Sequence, residues 1–154
     1  MKLRTNLFTL VMLFAGLTTC FAANPTLGTW KLNEAKSKLA AGTPKNQTVV
    51  YEAAGDKIKG TIDGVDAQGK PLHNEWTGKF DGKDYPVTGD PTSDTRAIKQ
   101  IDDRHYELTI KKDGKVRITG QAVISADGKT RTVTVSGTNA EGKKITSTSV
   151  YEKQ

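Results

Sequence analysis

A short motif recurs along the chain, in which an acidic or amide residue is followed by Gly and then Lys. It occurs at Gln68-Gly69-Lys70, Asp81-Gly82-Lys83, Asp113-Gly114-Lys115, Asp127-Gly128-Lys129 and Glu141-Gly142-Lys143. Asp-Gly between alternating runs is the strongest short-range signal for a β-hairpin, because glycine supplies the positive φ that the tight turn requires. The repeat therefore predicts a series of antiparallel strands.

The segments between these turns show the period-2 alternation of half-buried strands. Nine strands are predicted, at residues 28–33, 47–53, 57–66, 71–80, 95–101, 105–112, 115–125, 130–138 and 144–152, with a short tenth at 84–87. The pattern predicts one short helix, within residues 33–41, with Asn33 as its N-cap and Glu34 in its first turn.

Alternation gives each predicted strand one apolar face, as for Val116, Ile118 and Ile124 in one strand and Val133 with Val135 in the next. Nine or ten successive strands coil strongly, and closing the sheet removes the exposed edges that promote aggregation. We therefore predict an all-β fold: a single up-and-down antiparallel barrel of 8–10 strands with one short helix after the first strand. A two-sheet sandwich is the alternative, although it requires longer crossover connections.

The first residues indicate a secretory signal peptide. Lys2 and Arg4 precede an apolar run at residues 7–17, which is too short to span a bilayer comfortably. We predict cleavage after Ala22, which removes residues 1–22 and leaves a protein that is secreted or periplasmic.

The mature chain, residues 23–154, is expected to form one domain and a monomer. Lipidation at Cys20 is the alternative to ordinary cleavage. Ordinary cleavage removes the only cysteine, so the mature protein then forms no disulfide.

The charge of the chain argues against nucleic acid as a partner. Two of the 23 basic residues lie in the signal peptide, so the net charge falls from +6 to +4 against the same 17 acidic residues. The lysines are spread over turns and strand faces without a dense run, which is typical of a solvated surface with weak attraction to an anionic envelope.

No cofactor, metal or catalytic residue is predicted from the sequence. His73 and Glu75 share one face of their strand and His105 is the only other histidine, whereas a metal site needs at least three converging ligands. If Trp76 points inward, His73 and Glu75 point outward. No serine occurs in the Gly-x-Ser-x-Gly form of an activated nucleophile, so enzymatic activity is not expected.

Gly28-Thr29-Trp30 resembles the Gly-x-Trp opening of the lipocalin and fatty-acid-binding superfamily. The resemblance implies a calycin-like barrel whose bottom is closed by Trp30, with Lys153 or Arg131 in place of the arginine that covers this tryptophan in the family. The chain is also similar to uncharacterised secreted bacterial lipocalin-like proteins, through the run at residues 28–33 and the run at residues 75–87.

Small and polar residues interrupt the rows expected to face the barrel interior, among them Gly60, Asn74, Gly78, Ser147 and Ser149. Such a lining leaves room for a small apolar or amphipathic ligand. The predicted ligand-binding residues are Trp76, Tyr106, Tyr51, Phe80 and Tyr151, together with Tyr85 and Arg96 from the irregular segment 84–96 that would form a portal. The alternative is that the aromatic residues fill the core and the segment is only a corner.

A second function is consistent with the same sequence. A filled barrel would leave the exterior to act, and the protein would bind another protein or an anionic polymer of the envelope. The Lys- and Thr-rich segments, such as Thr130-Arg131-Thr132 and Lys143-Lys144, would form that surface.

Overall fold

A computed structural model describes residues 24–138 and 142–154 of the chain. The signal peptide, Cys20 and Glu141 of the last turn motif lie outside the described residues. The elements are β1 (Gly28–Leu32), a 3-10 turn (Glu34–Lys36), β2 (Lys45–Ala54), β3 (Lys57–Val65), β4 (Pro71–Gly78), β5 (Tyr85–Thr88), β6 (Thr95–Gln100), β7 (His105–Lys112), β8 (Lys115–Ile124), β9 (Thr130–Thr138) and β10 (Lys144–Lys153).

The ten strands form one closed sheet in which every strand pairs antiparallel with its neighbours in sequence, and β1 pairs with β10. Trp30 of β1 lies opposite Lys153 on one side and Val49 on the other. Leu32 lies opposite Tyr151. This closure confirms the predicted up-and-down barrel and excludes the sandwich.

The glycine of each of the five repeated motifs has a positive φ. The motifs containing Gly69, Gly114 and Gly128 join consecutive strands as tight turns, and Gly142 lies in the connection before β10. The motif at Asp81 differs, because it lies within the longer connection 79–84, where Asp81 forms an isolated bridge with Lys99. Three of the five motifs therefore form the predicted hairpin turns, and all five place a positive-φ glycine in a connection between strands.

The helix after β1 is present but shorter than predicted. The Asn33 side chain caps it by accepting a hydrogen bond from the Lys36 backbone N–H at 3.1 Å. It ends after Lys36 because Ser37 is extended and Lys38 bridges to Thr148 of β10. Pairing with the sheet therefore replaces the rest of the helix expected over residues 33–41.

The prediction that Val116 faces the core with Ile118 is wrong. Val116 lies opposite Lys111, whereas Ile118 lies opposite Ile110, so β8 contains one extra residue, Arg117, at this point. Such a bulge reverses the alternation of faces on one side of the insertion. Val116 is consequently 54% exposed.

The end of the barrel where β1 begins is closed by packed side chains. Trp30 is fully buried and its indole Nε1 donates a 2.8 Å hydrogen bond to the Thr26 carbonyl oxygen. The Lys153 ammonium lies 5.0 Å from the centre of the Trp30 ring and donates to the Pro25 carbonyl at 2.9 Å. Lys153, rather than Arg131, therefore covers this tryptophan, through a cation–π contact.

Candidate functional site

The barrel contains an open chamber of about 580 Å³ at the end opposite to Trp30. We call it the upper chamber. Its mouth is formed by residues of the connections that follow β1, β3, β5 and β7, and its walls come from the inward faces of the strands. The wall residues include Leu72, Leu108, Ile110, Ile118, Val133, Val135 and Ile145. These aliphatic side chains make the wall mainly apolar.

A second, smaller void of about 80 Å³ lies deeper in the barrel. We call it the lower chamber. The two chambers adjoin, because six residues line both of them: Asn46, Arg96, Leu108, Ile110, Val133 and Tyr151. The upper chamber has polar residues at its rim and aliphatic residues on its wall, and it leads down to a mainly apolar lower chamber into which two arginines project.

Of the seven predicted ligand-binding residues, five line a chamber. Tyr51, Phe80, Arg96, Tyr106 and Tyr151 line the lower chamber, and Arg96 and Tyr151 also line the upper one.

The two other predicted residues, Trp76 and Tyr85, pack behind this lining. The Trp76 indole lies almost parallel to the Phe80 ring with centroids 6.1 Å apart, and the Tyr85 ring meets Trp76 edge-on at 6.1 Å. The Trp76 Nε1 donates a 3.0 Å hydrogen bond to the Arg96 carbonyl oxygen, which fixes the backbone of Arg96. Both residues therefore support the lining without forming it.

Phe80 is the centre of an aromatic floor under the lower chamber. Its ring centroid lies 5.2 Å from that of Tyr106, 6.4 Å from that of Tyr51 and 6.1 Å from that of Trp76. The Tyr106 and Tyr51 rings meet Phe80 edge-on and the Trp76 ring stacks on it, and aromatic contacts of both kinds add to the free energy of burial. The floor closes the chamber on this side, so the route to the interior runs through the mouth.

Arg96 projects from β6 into the interior and is only 7% exposed. Its Nη2 donates to the Asn74 side-chain oxygen over 3.4 Å, which is a long hydrogen bond. Burial lowers the pKa of Arg96, an effect opposed in part by Tyr51 and by the Asp90 carboxylate. An arginine nevertheless keeps its proton, so Arg96 places a positive charge at the base of the upper chamber.

Arg131 is the second buried cation, and sequence reasoning placed it on the exterior. It projects inward from β9, is 9% exposed and lines the lower chamber. Its Nη2 donates to the Tyr51 hydroxyl at 3.2 Å, and its guanidinium lies 5.2 Å and 5.9 Å from the centres of the Tyr51 and Tyr151 rings. The exterior assignment is wrong. The alternation of the strand could have indicated the inward position, because Arg131 lies two residues before Val133 and therefore on the same face.

Neither arginine has a carboxylate within 4.0 Å among residues 24–138 and 142–154. Asp90 attracts Arg96 through space, but the Asp90 oxygens already accept hydrogen bonds from Thr92 and Ser93. Each guanidinium has five N–H donors and gives one of them to a side chain in this part of the protein. Buried charges are normally paired. The base of the cavity is therefore suited to an anion.

Two tyrosines near the arginines, Tyr151 and Tyr106, are neutral phenols. Burial raises the pKa of the Tyr151 phenol, and it also raises the pKa of the Tyr106 phenol. A neutral phenol can donate a hydrogen bond, whereas a phenolate cannot. The Tyr151 hydroxyl therefore adds donor capacity, rather than negative charge, to the region around Arg131, whereas the Tyr106 hydroxyl already donates to the Asp103 carbonyl oxygen at 3.3 Å.

The small and polar residues in the inward rows have different roles. Asn74, Ser147 and Ser149 line the upper chamber and supply polar atoms to its wall. Gly60 instead makes room for protein, since a Cβ atom there would lie 3.0 Å from the Tyr51 ring. Absence of a side chain at Gly60 therefore positions Tyr51 and does not enlarge the cavity.

The exterior histidine and glutamate are in simple surface pairs. His73 Nδ1 lies 2.6 Å from an Asp63 carboxylate oxygen, and Glu75 pairs with Lys59 at 2.6 Å. The Lys59 ammonium lowers the pKa of the Glu75 carboxyl. In the part of the chain that the structure describes, no three His, Cys, Asp or Glu side chains come together in a way that could hold a metal ion. Within the same residues, no helix is long and apolar enough to cross a membrane.

The closed ten-stranded antiparallel barrel with an internal chamber is compatible with a calycin-like barrel. A scan of the sequence against protein-family models gives no match, and a search of curated proteins finds no relative. The residues inside the barrel are therefore the best indication of what the protein binds.

Proposed function

We propose that this protein is a lipocalin-like binding protein, secreted or periplasmic, that holds a small amphipathic molecule with an anionic head group inside the barrel. The observation that carries the proposal is the pair of buried arginines, Arg96 and Arg131, that line the lower chamber beneath the aliphatic wall of the upper one. A carboxylate, phosphate or sulfate would each match two guanidinium groups.

The chamber has the size and lining of a small-molecule site. Its volume of about 580 Å³ falls within the range of roughly 300–1,000 Å³ that is usual for such sites. The aliphatic wall suits a hydrocarbon tail, and burial of that tail contributes about 25 cal/mol per Å² of apolar surface. The head group would then lie deepest, with the tail directed toward the mouth.

The energetics favour an anion over a neutral head group. Hydrogen bonds to charged groups contribute about 1.5–3 kcal/mol each, and they are strongest where water is excluded. An anion at this position would also neutralise two buried charges that have no carboxylate within 4.0 Å among the described residues. A neutral alcohol would bury the same tail without this gain.

The alternative of a surface-binding envelope protein has less support. It assumed a filled barrel, but the upper half of the interior holds an open chamber. It also counted Arg131 as part of the exterior, and Arg131 is buried. The internal site is therefore the favoured candidate.

A matched pair of ligands tests the proposal. Decanoate and decanol share one hydrocarbon chain and differ in the head group, so calorimetric titration of each isolates the contribution of the negative charge. We expect saturable one-to-one binding of decanoate and at least about ten-fold weaker binding of decanol. Equal affinity for the two would contradict the role of the arginines, and failure of a panel of anionic amphiphiles to bind would contradict the function.

A further inference from the structure

The lower chamber is lined by two buried cations that repel each other. Burial is the main cause of the lowered pKa of Arg96, and the positive charge of Arg131 lowers this pKa further. The Asp90 carboxylate, at the rim of the upper chamber, acts in the opposite direction but does not restore the pKa. Inside the barrel such a repulsion is screened less than it is in water. The lower chamber therefore needs negative charge whether or not a ligand is bound.

A buried hydroxyl lies in the wall of the same chamber. Thr26 is 3% exposed, and its Oγ1 makes no hydrogen bond in the part of the chain that the structure describes. Burial raises the pKa of Tyr106 and Thr26 opposes this rise, so the two hydroxyls are close, but the Tyr106 hydroxyl donates to the Asp103 carbonyl oxygen. Buried hydroxyls are normally hydrogen-bonded. The Thr26 O–H is therefore a donor available to a group in the lower chamber.

The size and lining of the lower chamber restrict what this group can be. A volume of about 80 Å³ is less than that of three water molecules, at about 30 Å³ each. Most of the lining is apolar, as in Val49, Ile62, Ile98 and Leu108. A dianion such as sulfate would lose far more hydration free energy in these surroundings than a singly charged ion would. The chamber therefore suits a small monovalent anion such as chloride.

We propose that the lower chamber is a binding site for a small monovalent inorganic anion, which neutralises Arg96 and Arg131 in the ligand-free protein and leaves when the anionic head group of the ligand enters. The guanidinium groups and the Thr26 hydroxyl donate hydrogen bonds to this ion. The exchange of ion for ligand rests on the proposed function, whereas the ion site itself does not. Uptake of an anionic ligand then releases one inorganic anion, and uptake of a neutral ligand releases none.

Thermal denaturation of the ligand-free protein tests the ion site without any ligand. Chloride replaces gluconate at a constant ionic strength of about 0.15 M, so that screening is unchanged. Gluconate is too large for the lower chamber and too polar for the aliphatic wall above it. An ion that fills most of the sites at this concentration has a dissociation constant of about 30 mM or less, so chloride should raise the Tm by about 3 °C or more. An unchanged Tm would overturn the proposal, and binding of decanoate would be unaffected by that result.

Three variants locate the ion. Arg131→Met should abolish the rise in Tm, whereas Arg104→Met, in the exposed turn between β6 and β7, should retain all of it. Thr26→Val should have a higher Tm than the native protein in gluconate, since it removes a buried hydroxyl without a partner, and a smaller rise in chloride. The contact from the Trp30 indole is kept, because it ends on the Thr26 carbonyl oxygen. The native rise in both Arg131→Met and Thr26→Val would contradict the assignment to the lower chamber.

Calorimetric competition tests the exchange. Raising chloride from about 1 mM to about 150 mM, again against gluconate, should weaken decanoate binding by about five-fold or more and leave decanol binding unchanged. Decanoate affinity that does not depend on chloride, or an equal dependence for decanol, would overturn the exchange while the proposed function stands. Failure of decanoate and all other anionic amphiphiles to bind would overturn the proposed function and the exchange, but a chloride-dependent Tm would still support the ion site.

Discussion

Replacing Arg96 by methionine should make the protein more stable and, at the same time, a weaker binder. Methionine has a similar length and no charge, so Arg96→Met removes a buried cation without leaving a large cavity. The backbone contact is retained, because the Trp76 indole donates to the Arg96 carbonyl oxygen and not to its side chain. The variant thus separates the charge of Arg96 from its place in the packing.

The expected gain in stability follows from the two contributions that change. Replacing buried ionic groups by apolar ones of similar volume is often neutral or stabilising by about 1–4 kcal/mol. Loss of the 3.4 Å hydrogen bond to Asn74 costs about 1 kcal/mol, and water in the open chamber can replace it at the Asn74 oxygen. The net effect is a gain of about 0–3 kcal/mol, which corresponds to a rise in Tm of up to about 10 °C.

Arg96→Met should weaken the binding of decanoate although it stabilises the fold. One charge-assisted hydrogen bond contributes about 1.5–3 kcal/mol, so the Kd for decanoate should rise about 10-fold to 100-fold, while the Kd for decanol should hardly change. Thermal denaturation followed by circular dichroism gives the first quantity and calorimetric titration the second.

Arg104→Met is the matched control, because Arg104 is exposed in the turn between β6 and β7. The same substitution there should change neither Tm nor the affinity for decanoate appreciably. A fall in Tm of Arg96→Met by several degrees, with the affinity for decanoate unchanged, would refute the reasoning. Arg96 would then be a structural residue, and the cavity would have no anion site at this position.

Two further predictions concern the scaffold. In Gly78→Ala the added Cβ would lie 2.5 Å from the Tyr85 ring, so we expect a loss of about 1–3 kcal/mol in the free energy of unfolding by urea, whereas Thr77→Ala on the exposed face should lose much less. The Lys36 ammonium lowers the pKa of the exposed Glu152 carboxyl, so this pair stabilises the fold above pH 4.5 and is lost as the pH falls through the lowered pKa. Glu152→Gln should accordingly reduce the decrease in the urea midpoint between about pH 6 and about pH 3, and an unchanged decrease would contradict this assignment.

The architecture could be predicted because turns and alternation are local signals. Positive φ at the glycines of the repeated motifs sets the hairpins, and the strands between them then have few ways to hide their edges. Closure between Trp30 and Lys153 follows from the number of strands. The predicted helix was too long. Asn33 and Glu34 signal where a helix starts, but the bridge between Lys38 and β10 is a tertiary contact that no local pattern contains.

The interior was predicted less completely. Tyr51, Phe80 and Tyr106 were found because aromatic residues on an inward row are expected inside. Arg131 was missed because a charge is normally placed outside, even where its strand alternation puts it with Val133. Val116 was misplaced because a single inserted residue, Arg117, shifts the register and leaves no mark in the hydropathy pattern.

The pairing of β1 with β10 has a consequence for folding. These strands are neighbours in the sheet although nearly the whole domain separates them in sequence, so the last ladder to form joins the two most distant parts of the chain. During synthesis every other strand can pair with its predecessor as it emerges, but β1 and β9 keep unprotected edges until Lys144–Lys153 arrives. A nascent chain therefore passes through an open, aggregation-prone sheet, and a chaperone that holds β1 in reserve would be of most use at that stage.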